Sequence, residues 1–152
     1  MTLLYREMME MDSSFRFGTC HFGNLKREVS LTFLFQIRIL SGTLKEFAKK
    51  QEIDETMLLS ILRSLDLDRE QFVKNMEEFS EGQKKKVLIA ASLLTPAHLY
   101  LWDEPLNYID VFSRMQIEKL IAQFQPTMLI VEHDVRFAKK LATKVVDLSG
   151  SV

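Results

Sequence analysis

Two carboxylates stand directly after a short apolar run. Residues 99–102 are apolar or aromatic, and Asp103, Glu104 and Pro105 follow them. A carboxylate at the end of a strand can hold Mg²⁺, directly or through water, and its neighbour can orient an attacking water molecule. An isolated acidic pair after a strand more often forms a turn or caps a helix. The pair is therefore a candidate metal and catalytic site that needs support from elsewhere in the chain.

A histidine follows a second apolar run. Residues 127–131 are apolar except for Thr127, and His133 comes two positions later. A lone histidine is usually structural. If both runs are parallel strands, however, their carboxyl ends open onto one crevice, and His133 would then lie near Glu104.

The third candidate is the start of a helix. Ser80, Gly82 and Gln83 precede a segment without helix breakers, so a hydroxyl, a glycine and free backbone N–H groups come together at a helix N-terminus. Such a terminus binds anions. The alternative is a capping box, for which Ser80 and Gln83 have the correct spacing. The three lysines at 84–86 are typical of a solvated helix face, with weak, salt-sensitive attachment to RNA as a further possibility.

The surrounding pattern predicts the elements that position these residues. From residue 98 it alternates strand, helix, strand, helix, strand, with strands at 99–102, 127–131 and 144–148 and a helix from Asp110 to about 124. This order favours a parallel sheet of α/β type. Residues 41–80 predict a small helical region, with helices at 44–50, after Asp54 and after Asp68. Residues 29–40 have the composition of one or two strands.

The composition narrows the class of protein. The 152 residues are 47% hydrophobic and 27% charged, with a net charge of −1, which is typical of a globular domain and not of a strongly basic nucleic-acid-binding protein. The single cysteine, Cys20, excludes an internal disulfide framework. No apolar run is long enough to span a bilayer, and Glu7 stands where a signal peptide is basic or apolar. We therefore expect a cytoplasmic protein without a membrane-spanning domain.

Four ordered motifs resemble the second half of an ATP-binding cassette (ABC) ATPase domain. Residues 80–83 match the signature usually written LSGGQ, with Phe79 for Leu and Glu81 for the first Gly. Residues 99–104 resemble the Walker B strand, 106–110 the D-loop and His133 the switch histidine. The 23-residue step from Ser80 to Asp103 is the family's spacing. The resemblance covers about residues 41–148.

The resemblance implies a role for each candidate. Asp103 would hold Mg²⁺, Glu104 would polarise the attacking water, and His133 would sense the γ-phosphate of ATP. Ser80, Gly82 and Gln83 would contact the ATP held by a second, opposite ABC domain, and Asp110 would line the interface with that domain. The segments SEGQKKK and WDEPLNYID most resemble the ABC-F class of Lsa/Vga-like antibiotic-resistance proteins, which carry two ABC domains in one chain and act on the ribosome. The match is closest to their second ABC domain.

One motif of the family is missing from the sequence. Walker A has the form G-x-x-x-x-G-K-[ST], in which backbone N–H groups and the lysine hold the phosphates. The only glycines at this spacing are Gly18 and Gly23, and Asn24 and Leu25 follow them instead of a lysine and a hydroxyl. Gln36 lies near the position of the family's Q-loop glutamine, but its neighbours do not match.

We therefore expect residues 1–40 to be an unassigned segment and residues 41–152 to be a partial ABC nucleotide-binding domain. Its helical subdomain would span about 41–80, and its signature helix and Walker B, D-loop and H-loop core about 81–148. The predicted fold is α/β, a helical subdomain with the C-terminal half of a RecA-like, mainly parallel sheet. Whether such a chain hydrolyses ATP is left open. It is a truncated ABC-F-type domain inactive alone, a non-catalytic module that pairs with a complete ABC domain, or the ATP-binding subunit of a transporter. A chain of the first kind is expected to be marginally stable and to associate.

Overall fold

A four-stranded sheet forms the centre of the computed structural model, which describes residues 18–20, 29–34 and 40–146. The strands are β1 (Gly18–Cys20), β2 (Val29–Leu34), β3 (Leu99–Asp103) and β4 (Met128–Val131), and they lie side by side in that order. Strand β1 is antiparallel to β2, whereas β2, β3 and β4 run parallel. The α/β class and the mainly parallel sheet are thus confirmed.

Five α-helices accompany the strands within the described residues. They are α1 (Leu44–Lys50), α2 (Glu55–Ser64), α3 (Glu81–Leu94), α4 (Val111–Phe124) and α5 (Val135–Leu141), and two short 3₁₀ helices span Arg69–Val73 and Met76–Glu78. The helix expected after Asp68 is 3₁₀, and the Asp68 side chain makes no capping bond there. The other helices have the expected positions.

Of the two further strands predicted from the sequence, the one from Val29 is present and the one at 144–148 is not found in the residues described there. The strand predicted from Val29 is confirmed as far as Leu34, and it pairs in parallel with β3, with Leu34 opposite Trp102. Residues 35–39, including Gln36, lie outside the described part. The strand expected at 144–148 is wrong for residues 144–146, which follow α5 without forming a strand; residues 147 and 148 are not described.

Local capping bonds determine where the helices begin. Asp54 accepts from the Met57 backbone N–H, and Asp110 accepts from that of Ser113, each at the N-terminus of its helix. These bonds satisfy N–H groups that have no partner within the helix, so each cap fixes the first helical residue. The segment after β3, which carries Glu104, ends at the Asp110 cap. This cap therefore limits the length and direction of that segment.

Helix α3 packs on β3 through a buried aromatic pair. Trp102 is 1% exposed and its indole N–H donates to Ser92 Oγ at 3.0 Å, while the Tyr100 hydroxyl donates to the Thr95 carbonyl at 2.9 Å. Both aromatic rings project from alternate positions of β3, as the twofold period of a strand requires. These contacts fix the helix that carries residues 80–83 relative to the strand that ends in Asp103.

Strand β4 is an edge of the described sheet and carries exposed apolar side chains. It pairs with β3 on one side, and Leu129 and Val131 are 61% and 48% exposed. An open apolar edge strand is a template for pairing with another chain. No helix among the described residues is long and apolar enough to cross a bilayer.

The exposed edge predicts self-association. We expect sedimentation analysis of the chain to show concentration-dependent oligomers that Leu129→Lys suppresses, because a charge on an edge strand opposes pairing. Val73→Lys is the matched control, since Val73 is 81% exposed but belongs to a 3₁₀ helix and not to a strand. A wild-type chain that stays monomeric over the whole concentration range would contradict this prediction.

Candidate functional site

Glu104 and His133 meet at the carboxyl end of the parallel strands. Asp103 pairs with Val131 across the sheet, and the Glu104 backbone N–H donates to the Val131 carbonyl at 2.9 Å. Strands β3 and β4 therefore end at the same edge of the sheet. His133 Nε2 lies 3.4 Å from Glu104 Oε1, and the Asn107 amide donates to the other Glu104 oxygen. The structure thus brings together the two side chains for which the sequence predicted one crevice. Their catalytic roles remain predictions.

The backbone at Glu104 is strained. Its φ is +44°, in the left-handed region that non-glycine residues rarely adopt. Such residues concentrate at functional sites, where the surrounding structure holds them against a cost of about 1–3 kcal/mol. The strain accompanies a half-exposed carboxylate and an exposed His133 ring, which is 86% exposed.

Two lysines of α3 are buried, and the carboxylates of this edge act on the charge of one of them. Lys85 on α3 is 4% exposed, and burial lowers the pKa of its ammonium, while the charges of Asp103, Glu104 and Glu132 act in the opposite direction. Lys86 is also buried, at 7% exposed. The prediction that residues 84–86 form a solvated helix face is therefore wrong for Lys85 and Lys86, and these two ammonium groups are not available to bind RNA.

Glu132 is a site residue that the sequence analysis missed. Its carboxylate accepts from the backbone N–H groups of His133 at 2.8 Å and Asp134 at 3.3 Å, and from that of Leu106 at 3.4 Å. It therefore holds the backbone around His133 and connects it to the segment after Glu104. The only available signal was a carboxylate directly before the histidine.

Ser80 and Gln83 form a capping box at the start of α3. The Gln83 backbone N–H donates to Ser80 Oγ at 3.2 Å, and the Ser80 backbone N–H donates to Gln83 Oε1 at 2.9 Å. The sequence left two alternatives for this segment, an anion-binding helix terminus and a capping box, and the structure shows the capping box. Ser80 is nonetheless exposed at the end of the helix, so its contact with a nucleotide stays a prediction.

Gly82 contacts the loop that follows β3. A Cβ added at Gly82 would lie 2.5 Å from the Tyr108 backbone oxygen, which is closer than real Cβ contacts come. Tyr108 itself has a φ of +64° and is 75% exposed. Only glycine permits this approach, so the predicted signature and the predicted D-loop form one packed unit.

Lys86 and Asp110 join the same two segments by charge. Lys86 Nζ lies 3.0 Å from Asp110 Oδ2, and Asp110 also accepts from the Ser113 backbone and hydroxyl. Burial raises the pKa of the Asp110 carboxyl, but the hydrogen bonds from Ser113 and Lys86 and the charge of Lys86 outweigh it and hold that pKa well below its usual range. Asp110 is therefore ionised at neutral pH and orients both the helix cap and Lys86.

The donor set fits Mg²⁺ only in one mode of binding. Within the described residues no group of three or more His, Cys, Asp or Glu side chains could enclose a metal ion. Mg²⁺ is usually bound by one or two carboxylates together with waters and substrate phosphates. Asp103 at the strand end suits that mode, in which the nucleotide supplies the remaining ligands.

The comparisons with known proteins identify the family. The family model described as "ABC transporter" matches residues 14–107, more than half of the chain. The chain therefore belongs to the ABC transporter family of ATP-binding domains. The match begins at residue 14, whereas the motifs indicated a family resemblance only from about residue 41. The family likeness therefore extends into residues 14–40.

Among curated relatives, the chain is 30% identical over 91 residues to the probable ATP-binding protein YheS of Haemophilus influenzae, covering 60% of the chain and 14% of that protein. It is 34% identical over 133 residues to the tungstate uptake ATP-binding protein TupC of Campylobacter jejuni, covering 84% of the chain and 38% of TupC. The chain thus spans well under half the length of both relatives.

Among solved structures, the RNase-L inhibitor superposes with a TM-score of 0.63 at 27% identity, over 79% of this chain and 25% of that one. An ATP-binding subunit of an ABC transporter superposes with a TM-score of 0.64 at 21% identity, over 73% and 51%. The second likeness concerns the fold alone.

Proposed function

We propose that the chain is the signature-bearing part of an ABC-F-type ATPase domain and that it does not hydrolyse ATP alone. The observation that carries this proposal is a preformed unit of signature helix and D-loop, packed through Gly82 and Tyr108, in a sequence without a Walker A motif. The first feature suits contact with a nucleotide held by another domain. Because Walker A is missing, the chain lacks the backbone N–H groups and the lysine that usually bind the ATP phosphates.

In this proposal the residues act in two places. Ser80, Gly82 and Gln83 contact the ATP bound by a second ABC domain, and Asp110 lines the interface with it. Asp103 would hold Mg²⁺, Glu104 would polarise water and His133 would contact the γ-phosphate only where a Walker A segment completes their side of the site. Glu104 and His133, 3.4 Å apart, support that grouping.

The resemblance to the ABC-F class favours the ribosome as the partner. The segments SEGQKKK and WDEPLNYID resemble ABC-F ribosomal protection proteins. In support, a solved structure of ribosome-bound archaeal Pelota and ABCE1 contains a chain that superposes at 26% identity with a TM-score of 0.60. A role on the ribosome in antibiotic protection would place the protein in the cytoplasm.

The isolated chain is expected to bind Mg·ATP far more weakly than a complete ABC domain. Walker A supplies most phosphate contacts, and nothing in the sequence replaces its lysine. Isothermal titration calorimetry with Mg·ATP is the measurement, with full-length TupC, named an ATP-binding protein, as the positive control. Micromolar affinity of residues 1–152 would contradict the proposal.

Two other functions have specific support. A non-catalytic module that completes the site of an intact ABC domain fits the signature unit equally well, and a transporter subunit fits the likeness to TupC. Affinity capture with the tagged chain separates the three. Ribosomes support the ABC-F proposal, a soluble ABC protein supports the module, and a membrane permease supports the transporter subunit.

A further inference from the structure

Arg114 joins the two loops that carry the candidate site. It lies in the first turn of α4, and its guanidinium donates to the Ile109 carbonyl through Nε at 3.1 Å and to the Leu106 carbonyl through Nη2 at 3.3 Å. Its third contact is from Nη1 to Asp134 Oδ2 at 3.2 Å. One side chain thus binds the loop at 104–110 and the loop at 132–134 together.

A second connection joins the same loops through a carboxylate that accepts hydrogen bonds, whereas Arg114 donates them. Glu132 accepts from the Leu106 backbone N–H in the first loop and from the His133 backbone N–H in its own. Leu106 therefore has its N–H bound to a carboxylate of the second loop and its carbonyl bound to Arg114. A shift of the first loop cannot leave both bonds intact unless the second loop follows.

The loops that are joined in this way have different surroundings. The 104–110 loop contains Tyr108, whose carbonyl contacts Gly82, and Asp110, which pairs with Lys86. The 132–134 loop carries His133, whose ring reaches Glu104. Arg114 thus binds both the loop that contacts the signature helix and the loop that carries His133.

We propose that Arg114 is a positioning residue that couples the 104–110 loop to the 132–134 loop, so that the place of His133 against Glu104 follows the D-loop. Its functional meaning rests on the proposed function, in which that loop faces a second domain. The planar guanidinium suits the task, since it directs several N–H donors in fixed directions, which the single ammonium of a lysine does not do.

Amide exchange measured by NMR on the whole chain, without nucleotide, tests the coupling. Arg114→Met should raise exchange about tenfold at Asn107 and Ile109 in the first loop and at His133 in the second, which is the size expected for losing charged hydrogen bonds. Exchange in α2 should not change. Lys119→Met on the exposed side of α4 is the control and should alter neither loop.

Asp134→Asn separates coupling from a local effect. Asparagine keeps the cap of α5, where the Asp134 side chain accepts from the Arg136 and Phe137 N–H groups, but it loses the charge that pairs with Arg114. Exchange at Asn107 and Ile109 should rise in this variant, and Arg114→Met added to it should raise His133 exchange no further. If each variant changes only its own loop, the proposal is overturned. Asp134→Asn alone decides the matter if Arg114→Met does not fold.

The His133 ring gives the readout that a purely structural role would not move. The imidazole ¹⁵N shifts should change in Arg114→Met in the same direction as in Glu104→Gln, because the ring loses its carboxylate neighbour in both variants, by displacement in the first and by conversion of the carboxylate to an amide in the second. Unchanged ring shifts would refute the coupling to His133. Since no nucleotide or partner is present, failure of the ATP or ribosome proposals leaves this result readable.

Discussion

Glu104→Gln should lower ATP turnover about 10²–10⁴-fold in a chimeric domain that has a phosphate-binding segment. In this chimera TupC supplies the residues up to the one that aligns with Leu40, and this chain supplies residues 41–152; TupC aligns over 84% of the chain. A neutral amide cannot accept the proton of the attacking water, whereas it preserves the shape of the side chain. The variant should therefore keep ATP bound while turnover falls, as measured by kcat and by nucleotide retained through gel filtration.

The control for this prediction is Glu70→Gln. Glu70 is an exposed glutamate in the 3₁₀ helix Arg69–Val73 and undergoes the same chemical change away from the sheet edge. Its turnover should equal that of the unsubstituted chimera. Equal turnover for Glu104→Gln would show that Glu104 is not the general base.

Gly82→Ala should destabilise the chain by about 1–3 kcal/mol, the range for overpacking a filled site. In an open helical position the same change would stabilise by up to about 1 kcal/mol, because alanine loses less backbone entropy. The added Cβ would lie 2.5 Å from the Tyr108 oxygen, and backbone cannot move aside as cheaply as the end of a flexible side chain. The sign of the change therefore reports the contact.

Urea denaturation measures this change, with Glu81→Ala as the control one residue earlier. Glu81 is exposed, and its ion pair with Lys84 is an i,i+3 surface pair, so its loss should cost no more than a few tenths of a kcal/mol. Amide resonances around Tyr108 should shift in Gly82→Ala and remain in place in Glu81→Ala. A stabilised Gly82→Ala variant would mean that the Tyr108 carbonyl does not pack against α3.

The sequence by itself determined the local features. Asp54 and Asp110 marked helix starts because a capping side chain acts within three residues of itself. The runs at 99–102 and 127–131 indicated parallel strands, and their shared edge brought Glu104 and His133 together as expected. Burial was predicted wrongly for the second run, since Leu129 and Val131 are exposed. The motif spacing also predicted the family, which the match over residues 14–107 confirms.

The tertiary structure alone decided which polar groups are buried and which loops are joined. Consecutive lysines have the same local pattern whether they face solvent or a sheet, so only packing shows that Lys85 is buried and that Lys86 pairs with Asp110. The Gly82–Tyr108 contact and the bonds of Arg114 connect residues from different elements. Such contacts leave no periodic signal in sequence, because they depend on how the helices and strands pack in three dimensions.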